Sequence, residues 1–170
     1  MNIFALDRNP RIAAQCHCDV HVRKMTVESA QILCTVNHLY GTYDNIPYKS
    51  THVHHPCVKW ACESQQNYNW LCELGIGLAK EFTFRFGRFH KTESVLYWCR
   101  HHNPCPFNRT LGTSQHFALC MPERWRGEDG VSSYRRYYAA EKADIAKWTK
   151  RSKPPWWLRY KMLYYYPNKS

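Results

Sequence analysis

Two stretches of about twenty residues each place apolar side chains at three- and four-residue steps. In the first, Val22, Met25, Ile32, Leu33, Val36 and Leu39 fill one arc of a helix. Lys24, Gln31, Thr35 and His38 fill another, and His21 and Glu28 sit at the edge between the two. In the second, Tyr68, Leu71, Cys72, Leu74, Gly75, Leu78, Ala79 and Phe82 recur with the same step. Helices of that length bury an apolar stripe only against other helices, so the expected fold class is mainly α. We expect one compact helical fold with a long central helix and a short N-terminal extended segment at residues 2–6. No β-branched runs alternate with helices, which argues against a parallel sheet.

Local signals set the boundaries. Asn9-Pro10 combines an N-cap with Pro at the first helical position, predicting a short helix from Pro10 to about Cys16. Asp19 reads as a second cap, opening a helix from Val20 to about Leu39. Residues 41–50 are rich in turn formers, and Pro56 opens a further helix. The long central helix runs from about Gln65 to Phe86, where Gly87 stops it. A short helix spans Thr92 to Arg100. Residues 101–130 carry three Pro, three Gly and few periodic apolar positions and form the least regular stretch, where a long ordered loop would often be functional. Helix returns from Val131 to Trp148, with Tyr134, Tyr137, Ala140, Ile145 and Trp148 as buried contacts, and Pro154-Pro155 ends regular structure. This divides the chain into a helical domain, 1–155, and a basic aromatic tail, 156–170.

Charge narrows the partners. Lys and Arg number 24 against 13 Asp and Glu, a net charge of +11 with neutral His. From Glu123 to Ser170 twelve basic residues face five acidic ones, with Trp156, Trp157, Tyr160 and Tyr164 to Tyr166 interleaved. Cations that neutralise phosphates beside aromatic faces that stack bases point to nucleic acid, and double-stranded DNA is the expected partner. Lys147, Lys150, Arg151 and Lys153 are the candidate phosphate contacts. The plain alternative is a solvated basic face with the tryptophans packed onto the helices. No apolar run is long enough to span a membrane. The opening MNIFALDRNPR lacks a basic n-region and a long apolar core, so it does not read as a signal peptide. An intracellular monomer is expected, in a host cytoplasm if the source is viral.

Nine cysteines in a chain of this kind are expected to be free thiols packed as small hydrophobes. Cys16, Cys18 and His21 lie close together, and Cys99, His101, His102 and Cys105 form C-x-H-H-x-x-C. Neither supplies two ligand pairs at zinc-site spacing, so no metal and no cofactor are expected.

Three groups carry chemistry. His21, Lys24 and Glu28 are three, four and seven residues apart and share a helical stripe, where an imidazole, an amine and an acid suit acid/base or imine chemistry. The plain alternative is an exposed Lys-to-Glu i,i+4 pair in its weaker orientation. His52, His54 and His55 crowd the approach to Pro56, either contacting a phosphate or base or, for His55, capping the helix. Arg85, Arg88, His90 and Lys91 follow the long helix. Arg88, with His90 and Lys91, reads as a phosphate clamp, and Arg85 as a cation suited to the helix dipole.

Longer motifs carry a resemblance. The chain opens NIF-x-LD and continues with A-A-Q-x-H-C-D-x-H-V-x-K-M-x-x-E-x-A-Q-x-L from Ala13 to Leu33. It has HHP at His54 to Pro56, FRFG-x-x-HKTE at Phe84 to Glu93, and EKADIAKWTKR at Glu141 to Arg151. Over most of its length it resembles a family of small phage-encoded proteins. More distantly, it resembles the pyrimidine-dimer DNA glycosylases of the phage endonuclease V type, which are small, basic and all-helical. They carry a His and a Glu seven residues apart on an early helix, matched here by His21 and Glu28. In those enzymes the terminal amine attacks the sugar C1′ to form an imine, a glutamate assists, and β-elimination cleaves the strand. The resemblance therefore implies Glu28 as acid/base and His21 as a backbone or sugar contact. The family's Arg residues flanking its Glu are replaced by Val27 and Gln31. Its small second residue is replaced by Asn2, which leaves Met1 or Lys24 as the nucleophilic amine.

The leading expectation is a DNA glycosylase and abasic-site lyase acting on pyrimidine lesions or modified pyrimidines. The alternatives are an enzyme of thymine hypermodification on the same scaffold and a non-catalytic DNA-binding module.

Overall fold

The computed structural model describes residues 2–104 and 116–168. Among these the regular structure is helical: α1 (Pro10–Cys16), α2 (Asp19–Tyr40), α3 (Pro56–Glu63), α4 (Gln65–Phe86), α5 (Glu93–His101), α6 (Gly130–Glu141) and α7 (Trp157–Tyr164), with three single 3-10 turns. The protein is mainly α, and no strand occurs among the described residues.

The caps explain the early boundaries. Asn9 Oδ1 accepts the Arg11 N–H at 2.9 Å, satisfying a donor that the first turn leaves open, and Pro10 follows it. Asp19 departs from expectation. It is the first residue of α2 rather than its cap, and Cys18 before it makes no side-chain cap bond. The Asp19 carboxylate is occupied elsewhere, by Arg85 and Thr149. Gly87 ends α4 in the left-handed region at φ 69, which an L side chain adopts only with strain.

The long helices α2 and α4 cross face to face, with α1 and α5 packed on α4. At the crossing, Gly75 is the residue that allows close approach. A Cβ there would lie 2.5 Å from Leu96 Cδ2 and 3.2 Å from Ser29 Cβ. Residues 2–6 pair with no strand. They thread into the core, with Ile3, Phe4, Ala5 and Leu6 all buried.

The C-terminal third differs from the sequence expectation in two ways. Helix α6 stops at Glu141 and does not reach Trp148. The chain then turns so that Lys147 O accepts the Asp19 N–H at 2.7 Å and the Trp148 indole donates to Cys16 O at 3.0 Å. Tertiary bonds to the start of α2 and the end of α1 thus replace helical ones, and Ile145, expected inside, is exposed. Regular structure also resumes after Pro154-Pro155, as α7. Trp156 and Trp157 are core residues, with Trp157 edge-on to Trp148 at 4.8 Å, so the supposed tail starts inside the core. Packing is their role in this structure.

Arg85 ties these pieces together. Its side chain is fully buried and donates to Glu81 Oε2 (3.0 Å), Asp19 Oδ1 (3.1 Å), His17 O (2.8 Å) and Gln15 O (3.0 Å). Glu81 also accepts from Arg151 Nε and Nη2, at 3.0 and 2.6 Å. Replacing Arg85 with Met takes the buried cation from two buried carboxylates and leaves His17 O and Gln15 O without their donor, and is expected to cost about 3–5 kcal/mol in urea unfolding. Arg151→Met removes a partner that is one-third exposed and should cost about 1 kcal/mol. Equal losses would show that Arg85 is not the central residue.

Candidate functional site

Residue 2 lies against α2. The Asn2 backbone N–H donates to Glu28 Oε2 at 2.6 Å, although 26 residues separate them. The buried apolar run that follows, Ile3 to Leu6, holds Asn2 there. The Asn2 side chain is also engaged, since its Nδ2 donates to Cys120 O at 2.9 Å. Its Oδ1 lies 3.2 Å from the Tyr134 hydroxyl, which in turn meets Ala118 O and accepts the Cys120 N–H.

Glu28 is buried to 7% exposure, yet Lys24 Nζ, one turn earlier on α2, reaches within 3.6 Å of its Oε1. Lys24 itself is mostly solvent-exposed. A carboxylate, an amine and the residue-2 backbone therefore meet at one edge of α2. The i,i+4 pair read from the sequence exists, but its acid is buried rather than on an open helix face.

His21 takes a different direction. Its Nδ1 lies 2.7 Å from the Tyr138 hydroxyl, which also accepts the Cys18 N–H, and its ring packs 4.8 Å from Phe4. Burial, with Lys142 and Lys24 nearby, pushes its pKa from 6.5 down to about 4. It is a neutral imidazole at pH 7, able to make a hydrogen bond but carrying no charge to offer a phosphate. Met1 lies outside the described residues.

The expected phosphate contacts divide into two sets. Arg88 and Lys91 are exposed, and the loop they occupy is held to α2 by His90 Nε2 on Arg23 O at 3.2 Å. Lys147 and Lys153 are exposed on the segment tied to Asp19 and to the Arg85 centre. Lys150 donates to Phe84 O at 3.2 Å, satisfying an open carbonyl at the end of α4. Arg23 and Lys24, on α2 itself, are exposed as well. Arg151 differs from expectation, because its Nε and Nη2 both donate to Glu81. His54 lies apart, exposed beside Leu39 and Lys59. His55 caps α3, its Nδ1 accepting the Cys57 N–H at 3.1 Å, which was the plain alternative weighed for it.

Among the described residues, the members of the Cys/His groups read as possible metal sites make other contacts. Cys99 Sγ faces Cys34 Sγ at 3.6 Å, His102 bonds Trp98 O, and His101 is exposed. Cys105 lies outside the described residues. Cys18 Sγ does lie 3.4 Å from His21 Nδ1, but the Tyr138 hydroxyl completes that contact. A grouping absent from the sequence reading appears instead. His55, Cys57 and Cys120 bring their ligand atoms within 4.8 Å of one another. Sixty-three residues separate the two thiols, so no local spacing announces the pair. Tyr134 was legible only as a buried contact of α6, and Tyr138 was not singled out.

Compared with known proteins, the chain matches no protein-family model, no curated protein and no solved structure. None of the described helices is long and apolar enough to cross a membrane.

The buried imidazoles make stability pH-dependent. Burial pushes His17 from 6.5 to about 3, and His21 falls to about 4. Below pH 6.5 the unfolded chain binds protons that the folded chain refuses, so stability is full above that pH and falls toward pH 4. Each histidine contributes up to about 1.4 kcal/mol per pH unit in that window. Urea unfolding at successive pH values tests this, and His21→Gln should flatten part of the slope.

Proposed function

We propose that the protein is a DNA glycosylase and abasic-site lyase that acts on pyrimidine lesions or modified pyrimidines by amine-imine chemistry. The observation that carries this reading is the 2.6 Å bond from the Asn2 N–H to Glu28 Oε2. Amine-imine chemistry needs a primary amine beside a carboxylate. Glu28 has the N-terminal segment on one oxygen and Lys24 Nζ near the other.

The steps balance within this set. An amine lone pair attacks C1′, and the glycosidic bond breaks with its electron pair leaving on the base, which takes up a proton. The amine loses a proton and the sugar ring opens to an imine. Removal of a C2′ proton then expels the 3′ phosphate, and water releases the amine. Glu28 carries protons between these steps. Met1, one peptide bond before Asn2, and Lys24 are the two candidate amines. An α-amine titrates near pH 8, so part of it is neutral and nucleophilic at pH 7 (about 10%). Arg23, Lys24, Arg88, Lys91, Lys147 and Lys153 suit the phosphates of double-stranded DNA, from which the target nucleotide is extruded. The active form is proposed to be a monomer.

Borohydride trapping on a duplex with an abasic site tests the reading. The expected result is a reduced protein–DNA adduct whose attachment maps to Met1 or Lys24. Glu28→Gln should slow strand cleavage by at least about 100-fold while leaving duplex affinity intact. Salt-dependent binding with no adduct on abasic or thymine-dimer duplexes would overturn the enzyme reading in favour of a binding module. Altered nucleosides without strand cleavage would favour the hypermodification reading.

A further inference from the structure

A second cluster lies on the other side of Asn2 from Glu28. Cys57 opens the second turn-position of α3 directly after His55-Pro56, and Cys120 comes from the loop before the 3-10 turn at Glu123–Trp125. Their Sγ atoms are 3.3 Å apart, and both thiols are free. His55 places a ring nitrogen within 4.8 Å of both. Tetrahedral zinc, with Zn–S near 2.3 Å and Zn–N near 2.0 Å, sets its ligand atoms about 3.3–3.8 Å apart. The sulfurs stand about 0.5 Å closer than two zinc-bound thiolates would, and the imidazole needs a shift of about 1 Å, so side-chain adjustments of that size close the site.

We propose that His55, Cys57 and Cys120 form a zinc-binding site. Two thiolates and an imidazole are the donor set of a borderline-soft cation and not of magnesium or calcium, which take oxygen. Three protein ligands leave a fourth position. Asn2 adjoins it, with Oδ1 3.9 Å from Cys57 Sγ, so water or this carboxamide oxygen completes the tetrahedron. A ring nitrogen has one lone pair, and ligation through Nδ1 therefore exchanges the α3 cap bond for a bond to metal.

Either thiol can donate to the other, and both lose their protons when they ligate the metal. Binding releases thiol protons to solvent and weakens in acid. The bound ion joins the start of α3 to the loop at Cys120, and both to the residue that touches Glu28. The site stands on its own geometry and does not depend on the glycosylase reading.

The test uses the full chain, reduced and stripped of metal, titrated with zinc against a chromophoric chelator. The expected result is one zinc per chain. Cys120→Ser should weaken binding by at least about 100-fold, with helical circular dichroism unchanged. Cys34→Ser, which alters the other close thiol pair, should bind as the parent does. Uptake of no zinc, or undiminished uptake by Cys120→Ser, would overturn the proposal. So would a Cys57–Cys120 disulfide that takes up no zinc once reduced. Should Cys120→Ser unfold, cobalt titration of the parent chain decides. A thiolate-to-cobalt charge-transfer band with tetrahedral d–d absorption supports the site, and a spectrum without them overturns it.

Discussion

One fully buried guanidinium holds this fold in register. Arg85 has no exposed side-chain surface, and two carboxylates and two carbonyls surround it. Desolvating a cation is unfavourable by several kcal/mol, and only a full set of charge-assisted bonds offsets that cost. Here the set is nearly complete, and Arg151 balances the second acid at Glu81. The bonds are also geometric constraints. Gln15 O and His17 O belong to the elbow between α1 and α2, Glu81 to the last turns of α4, and Asp19 to the start of α2. With Asp19 also bound to Thr149, the rotation of α2 about its axis is set at its first residue. That rotation determines which side of α2 carries His21 inward and Glu28 toward residue 2.

The first residues of the chain are the second organising element. Four buried apolar side chains in a row have no sheet to join, so they insert between α2 and α6 through Phe4, whose ring meets His21, Tyr134 and Tyr138. Asn2 is then held at four polar points, with Glu28 on one side and Cys120 and Tyr134 on the other. Such a residue transmits displacement between its neighbours, because moving it breaks bonds to α2, α6 and the Cys120 loop together.

Much of this was legible from local signals. Asn9-Pro10, Gly87 and the apolar step through α2 and α4 each act within a few residues, and the helices they define formed at those places. The Lys24–Glu28 pair was legible for the same reason, since i,i+4 spacing on a helix implies contact. What failed depended on distant partners. Asp19 has the right residue type for a cap, but Arg85 and Thr149 claim its carboxylate. Helix α6 has the periodicity to continue, but Trp148 finds its acceptor on α1. Arg151 looks like a surface cation until Glu81, seventy residues away, is brought beside it. The proximity of Cys57 to Cys120 and of Asn2 to Glu28 arises only when α2, α3 and α6 have packed.

The placement of the cations bears on how an acid as buried as Glu28 meets a polyanion. A phosphate cannot approach Glu28 directly, because the carboxylate would repel it and burial leaves no room for a hydrated ion. Among the described cations Lys24 is the one within 4 Å of Glu28; other exposed amines and guanidinia stand on α2 at Arg23, on the loop at Arg88 and Lys91, and on the segment bonded to Asp19 at Lys147 and Lys153. On the proposed reading, these cations would hold a backbone by its phosphates while Glu28 and Lys24 meet its sugars. A basic surface used only for coating DNA gains nothing from an acid at its centre, because Glu28 subtracts from the attraction that such a surface depends on. An acid so placed fits the proposed chemistry at the sugar better than the alternative of a pure binding module.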